Sequence, residues 1–415
     1  MDYFNYHNDE LFAEDTALKD IAQKHGSPCY VYSKKTILRH YRAFDDALGS
    51  HPHMICYAVK ANSNLAILKL LCDAGSGFDV VSKGELQRVL HVGASPQKIV
   101  FSGVGKSVDE INYAIDKKIH CINVESVEEL NRIEQLSKIK GMKTSISLRI
   151  NPDINPETHP YISTGLKDNK FGIAIEKAIE IYQNHTHYPH LSFIGIDCHI
   201  GSQITQLNPF LDALERLIFL ADMLKEQEGL NIEHLDLGGG LGVTYKDETP
   251  PEPHHLAQKV KEKLAGRSYK IILEPGRAIM ANAGILLTRV EYLKEHHDKH
   301  FAIVDAAMTD LLRPALYQAW HDIIPVEKNN ELTPLACDVV GGVCETGDFL
   351  GLDRRLAITE GSLLAVRSCG AYGSTMSSNY NSRPKLAEVL IDGKTIHLIR
   401  QRETFDDLIS NELTL

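Results

Sequence analysis

The stretch Met54-Ile55-Cys56-Tyr57-Ala58-Val59-Lys60-Ala61-Asn62 holds an unbroken apolar and aromatic run that stops at a lysine. A run of this length without polar alternation reads as a strand buried on both faces, as in a parallel sheet covered by helices. Working outward, similar runs recur at Phe78 to Val81, Ile99 to Phe101, Cys121 to Val124, Ser145 to Ile150, Phe193 to Cys198, His234 to Leu237 and Ile271 to Leu273, eight with the first. Between most of them lie segments such as Leu65 to Leu71 and Phe210 to Leu224, whose apolar residues repeat at three and four. That period belongs to amphipathic helices, and the alternation predicts a TIM-type (β/α)8 barrel over residues 34–280.

After Ala283 the texture changes. Ile285 to Leu293, Phe301 to Val304 and Ala387 to Ile391 read as strands, and helical periods become scarce. Pro28 to Tyr32 is also strand-like but has no crossover helix before it, so it is expected to join the later strands. The expected organisation is a barrel domain of residues 34–280 and a mainly β domain, barrel- or sandwich-like, of residues 1–33 and 281–415.

The bulk numbers narrow the class of function. A net charge of −11 over 415 residues disfavours a phosphate-backbone partner, which needs a basic face that releases counterions. Hydrophobic residues at 43% and charged residues at 24% fit a folded chain that works on small molecules. No basic start followed by an apolar run resembles a leader, and no run is long enough to cross a bilayer, so a cytoplasmic location is expected. The eight cysteines include no CxxC pair, which predicts free thiols. The clusters His185/His187/His190 and His296/His297/His300 lack a metal-binding arrangement and lie in polar segments, so they read as solvated surface and no metal is expected.

A TIM barrel gathers its chemistry at the C-terminal ends of the strands. Those ends are polar here: Lys60-Ala61-Asn62, Arg149-Ile150-Asn151, His199-Ile200-Gly201-Ser202-Gln203, Gly238-Gly239-Gly240 and Glu274-Pro275-Gly276-Arg277. A lysine closing an apolar strand suits a Schiff-base amine, because partial desolvation favours the neutral form; taken alone it fits a rim lysine equally. Three glycines after strand seven let backbone N–H groups approach an anion, or make a tight turn. Glu274 could hold a protonated ring nitrogen or pair with Arg277 or Arg149, and His199 could stack on a ring or be a hydrogen-bonded core histidine.

In order along the chain stand Tyr57-Ala58-Val59-Lys60-Ala61-Asn62, Asn151-Pro152, His159-Pro160-Tyr161-Ile162-Ser163-Thr164-Gly165, Lys170-Phe171-Gly172-Ile173, His199-Ile200-Gly201-Ser202-Gln203, the glycine triplet, Glu274-Pro275-Gly276-Arg277, Cys344-Glu345-Thr346-Gly347-Asp348 and Gly370-Ala371-Tyr372. Through these motifs nearly the whole chain resembles the alanine-racemase-like, fold-type III pyridoxal-phosphate decarboxylases, and within them the branch that acts on diaminopimelate. The resemblance implies that Lys60 carries pyridoxal 5'-phosphate as a Schiff base and that His199 stacks on it. It further implies that Glu274 meets the ring nitrogen, while Ser202, Gly239, Gly240, Gly276, Arg277 and Tyr372 hold the phosphate. Arg277, Arg313, Tyr317, Glu345 and Tyr372 are implied as substrate contacts, and Cys344 as proton donor. Cys344 and Glu345 would come from a neighbouring subunit, which implies a homodimer with a shared site. Thr346 departs from the serine usual after Cys-Glu, yet keeps the hydroxyl.

On charge, meso-diaminopimelate offers an ammonium and a carboxylate at its distal end. Arg277 and Arg313 would match the carboxylate and Glu345 the ammonium. Without the motifs, Arg313 and Glu345 would read as ordinary surface ion-pair residues. The expected reaction is decarboxylation to L-lysine and CO2, the last step of lysine biosynthesis. An ornithine- or arginine-type decarboxylase, an amino-acid racemase and a non-catalytic binding protein are the competing readings.

Overall fold

The computed structural model describes residues 2–152, 154 and 169–415. It divides into two compact units, residues 40–243 with 249–278, and residues 1–39 with 244–248 and 279–415. The motif His159 to Gly165 lies outside the described residues.

The first unit is a closed parallel barrel. Its strands are His53–Ala58, Gly77–Val80, Ile99–Phe101, Cys121–Val124, Thr144–Asn151, Leu191–Asp197, His234–Asp236 and Lys270–Leu273, numbered here one to eight. Each pairs with its sequence neighbours, strand eight returns to strand one, and all these pairings are parallel. All eight expected strands are present, two with the expected ends and the others with ends moved by one or two residues. Strand one stops at Ala58 rather than Val59, because the ladder ends at the Ala58–Asp79 pair and the chain turns through a 3-10 helix, Val59–Ala61.

Full helices follow strands one to seven, and several begin where a small polar residue caps the first turn. Asn64, Ser82 and Ser126 each accept an N–H of the first turn through the side chain, and Ser107 with Glu110 forms a reciprocal capping box. Only the four-residue helix Arg277–Met280 follows strand eight, while a fifteen-residue helix, Lys34–Leu48, precedes strand one. The barrel floor is apolar, with Met54, Cys56, Val100, Cys121 and Ile272 packed together. Gly195 is required there, since a Cβ on it would lie 2.0 Å from Nε2 of the buried His234.

The second unit is mainly β. Its largest sheet runs Phe349–Leu356, Leu335–Val340, Lys299–Val304, Gly284–His296, Cys29–Ser33, Ala387–Asp392 and Thr395–Arg400, with Leu363–Val366 also pairing Gly284–His296. The early strand therefore joins the later ones, antiparallel to Gly284–His296 and parallel to Ala387–Asp392. Val31, Ile285, Leu287, Val389 and Ile391 form the centre of its core. All eight cysteines are free. His187, His296 and His297 are exposed as expected, but His185, His190 and His300 are half-buried. His190 is held there by Glu134, 2.6 Å from its Nδ1.

Candidate active site

Lys60 leaves the turn after strand one and places its Nζ 2.5 Å from Oδ2 of Asp79, at the end of strand two. Asp79 is fully buried, whereas about a third of the Lys60 side chain is exposed. The turn is fixed from below, because the buried Tyr57 hydroxyl donates to the Asn62 carbonyl at 2.9 Å. The apolar strand thus delivers Lys60 to the barrel mouth, but into an ion pair rather than a purely apolar pocket.

His199 follows strand six, and its Nδ1 accepts the Gly239 N–H at 3.1 Å. An accepting Nδ1 assigns the ring proton to Nε2. Desolvation first, then the positive charges of Arg149 and Lys60, hold the imidazole well below its usual pKa, so it is neutral. The glycine triplet belongs to the same contact. A Cβ on Gly238 would lie 2.5 Å from His199 Nδ1, one on Gly239 2.3 Å from the Glu274 carbonyl, and one on Gly240 2.5 Å from the Gly201 carbonyl. Gly238 and Gly240 also have φ of +63° and +105°.

Among the described residues, neither salt-bridge reading of Glu274 has a contact. Arg277 donates to the Ser202 hydroxyl from Nε and Nη2, at 3.2 and 3.1 Å. Arg149 pairs with the buried Glu125 at 2.6 Å. Glu274 instead receives the Ser102 hydroxyl at 3.5 Å, with Asn123 donating to Ser102 at 3.1 Å. Burial, then Asp236, Asp79 and Asp197, push its carboxyl well above the usual range.

The β unit carries the other expected residues. Arg313 is buried, its Nη1 lies 3.0 Å from His321 Nε2, and its guanidinium sits 4.6 Å from the Tyr245 ring centre. Tyr317 ends the short helix Arg313–Tyr317, and Tyr372 is half-buried with φ of +56°. Cys344 is the one exposed cysteine of the eight, and its N–H donates to Asn381 Oδ1 at 3.0 Å. Glu345 is exposed and accepts the Tyr380 hydroxyl at 2.6 Å.

Residues 34–281 match the family model for the pyridoxal-dependent decarboxylase, pyridoxal binding domain. The diaminopimelate decarboxylase of Pseudomonas aeruginosa is 56% identical over 415 residues, covering 100% of both chains. That of Vibrio cholerae is 56% identical over 417 residues, again covering 100% of both. The chain belongs to the diaminopimelate decarboxylase family. Among solved structures, a diaminopimelate decarboxylase from Helicobacter pylori complexed with L-lysine superposes with a TM-score of 0.91 at 43% identity, covering 95% of this chain and 99% of that one.

The cofactor of a diaminopimelate decarboxylase is pyridoxal phosphate, and the barrel mouth suits it. Lys60 offers an amine for an aldehyde, and the glycine loops leave backbone uncovered where a Cβ would collide. Buried carboxyl oxygens without a hydrogen-bond partner among the described residues, Asp79 Oδ1 and Asp236 Oδ2, suit a cationic ring and amine.

Asp79, Asp197 and Asp236 join the site although none belongs to a strand-end motif. Each is a carboxylate set in an apolar strand, as in Gly77-Phe78-Asp79-Val80, and a charge inside a two-face-buried strand is the signal that marks them.

Proposed function

We propose that this chain decarboxylates meso-diaminopimelate to L-lysine and CO2, the last step of lysine biosynthesis. One observation carries the reading. A lysine paired to a buried acid, a neutral histidine, a buried carboxyl and a glycine turn converge on the strand ends of a chain matching curated diaminopimelate decarboxylases over its full length.

Bound pyridoxal phosphate supplies an electron sink for the pair released as the α-carboxylate leaves. Lys60 would be the amine that holds the cofactor through its aldehyde, and Asp79 positions that amine. His199, kept neutral and aimed by Gly239, would stack on the ring without adding charge. Glu274 would meet the ring nitrogen, while Ser202, Gly239, Gly240, Gly276, Arg277 and Tyr372 would hold the phosphate. Arg277, Arg313, Tyr317 and Tyr372 bind the substrate, Glu345 takes its distal ammonium, and Cys344 donates the proton that replaces the lost carboxylate.

Cys344 and Glu345 serve the site of a second subunit in a homodimer. Their exposure in the single chain supports this, since a proton donor must be shielded from water to act selectively. The functional domains are residues 34–280, which bind the cofactor, and residues 1–33 with 281–415. Among the described residues no helix is long and apolar enough to cross a membrane, which is consistent with the cytoplasmic location we propose.

A substrate panel tests the reaction. Holoenzyme should release CO2 from meso-diaminopimelate far faster than from ornithine, arginine or lysine. Comparable turnover of ornithine would favour the amine-specific reading, and racemisation without CO2 would favour a racemase.

A further inference from the structure

Arg313 opens the short helix Arg313–Tyr317, and His321 stands between that helix and the strand Ile323–Pro325. Both side chains are buried, and both belong to the same compact unit as Tyr245. Arg313 Nη1 lies 3.0 Å from His321 Nε2, and His321 Nδ1 lies 2.8 Å from the Arg367 carbonyl oxygen. A guanidinium only donates and a carbonyl only accepts. These partners assign the ring proton to Nδ1 and leave Nε2 bare, since an N–H on Nε2 would point at the N–H of Arg313. The imidazole is therefore neutral.

The far end of this hydrogen-bond chain is fixed by backbone. The Arg367 N–H donates to the Asp322 carbonyl at 2.8 Å, just past the rung that pairs Ile323 with Val366. Neighbouring donors are turned elsewhere. The Cys369 thiol, 3.6 Å from Nδ1, donates to the Val366 carbonyl at 3.2 Å, and burial pushes it up to about 12, so it carries no charge. The Arg367 guanidinium pairs with Asp2 at 2.7 Å. Tyr245 touches both partners, with its ring centre 4.6 Å from the Arg313 guanidinium and 5.4 Å from the imidazole, edge-on to the latter.

An uncharged acceptor aims a guanidinium without cancelling its charge, whereas a carboxylate, such as Glu125 on Arg149, takes that charge for itself. We propose that His321, with Tyr245 against the guanidinium, is a positioning residue that sets Arg313 for the distal carboxylate of the substrate and so helps select substrates carrying that group. This rests on the reading of Arg313 as a substrate contact. L-Lysine keeps the same distal ammonium and carboxylate, so product binding depends on the same device.

Two substitutions separate aiming from folding. In His321→Asn the amide nitrogen takes the place of Nδ1 and keeps the bond to the Arg367 carbonyl, but no acceptor reaches Arg313. In His321→Gln the amide oxygen takes the place of Nε2 and restores that acceptor. Steady-state kinetics of the holoenzyme should show KM for meso-diaminopimelate raised about tenfold in His321→Asn, with kcat within about twofold and the inhibition constant of L-lysine raised in parallel. His321→Gln should return KM to within about threefold of the wild type. Adding His321→Asn to Arg313→Gln should change KM by less than about twofold, because no guanidinium remains to be aimed. Tyr245→Leu, which leaves His321 in place, should raise KM about fivefold and carries the test should His321→Asn not fold. Unchanged KM in these variants, a loss confined to kcat, no recovery in His321→Gln, or a full effect of His321→Asn on top of Arg313→Gln overturns the proposal. The underlying reading fails separately, if Arg313→Gln itself leaves KM and lysine inhibition unaltered.

Discussion

Lys60 Nζ lies 2.5 Å from Asp79 Oδ2, between a partly exposed ammonium and a fully buried carboxylate. The pairing links strand one to strand two at the last rung of their ladder, Ala58 opposite Asp79. Asp79 thus aims the amine before any aldehyde arrives. Asp79→Ala should slow cofactor capture by about 10- to 100-fold, the usual consequence of losing the orientation of a reacting group. Stopped-flow absorbance on cofactor-stripped enzyme measures this; an unchanged capture rate would remove Asp79 from the account.

Gly239 is fixed by two backbone constraints, the Glu274 carbonyl beside it and the bond from its N–H to His199. Gly239→Ala forces a methyl against backbone that cannot swing away. Overpacking of this kind costs about 1–3 kcal/mol, so the melting temperature should fall. Cofactor retention on gel filtration should fall with it, whereas Gly105→Ala, at a position with open space around it and no positive φ, should leave retention unaltered.

At the barrel floor, His234 is pushed down to about 3 and His120 to about 4, mainly by burial, with Lys270 adding repulsion to both. The unfolded chain takes up these protons near 6.5, the folded chain only below those values. The stability they contribute is complete above pH 6.5 and is lost as pH falls toward 4 and then 3. For the buried His234 the loss is on the order of 4 kcal/mol at the acid end. Thermal melts of His234→Asn should show a shallower fall in melting temperature between pH 6 and 4 than the wild type. An identical pH slope would contradict the assignment.

Much of this was legible in the sequence, for identifiable reasons. The barrel could be read because two-face burial turns each strand into a short apolar run, and the strand-end motifs because function keeps polar residues where those runs stop. Asp79, Asp197 and Asp236 were not read, since each looks like an interruption of its strand until the barrel closes and turns them inward. The weaker β strands, such as Leu335–Val340 and Thr395–Arg400, mix charge with apolar residues and carry little period. Pairings between separated segments, such as the parallel one of Lys299–Val304 with Leu335–Val340, decide the β unit, and local sequence does not record them.

The shared site makes a prediction about mixtures. Lys60→Ala and Cys344→Ala subunits, each inactive alone, should regain up to one native site per heterodimer after exchange. No recovery after exchange has been confirmed by mass would place Cys344 and Lys60 in the same subunit's site, or leave Cys344 out of the reaction.

Everything at the barrel mouth turns on Lys60 as the anchor of the cofactor. Borohydride reduction of the purified holoenzyme, followed by peptide mapping, addresses it directly. The account predicts a pyridoxyl phosphate adduct on the peptide containing Tyr57-Ala58-Val59-Lys60, and its disappearance in Lys60→Ala. An adduct on another lysine, or none in an enzyme that still releases CO2 from meso-diaminopimelate, would contradict it.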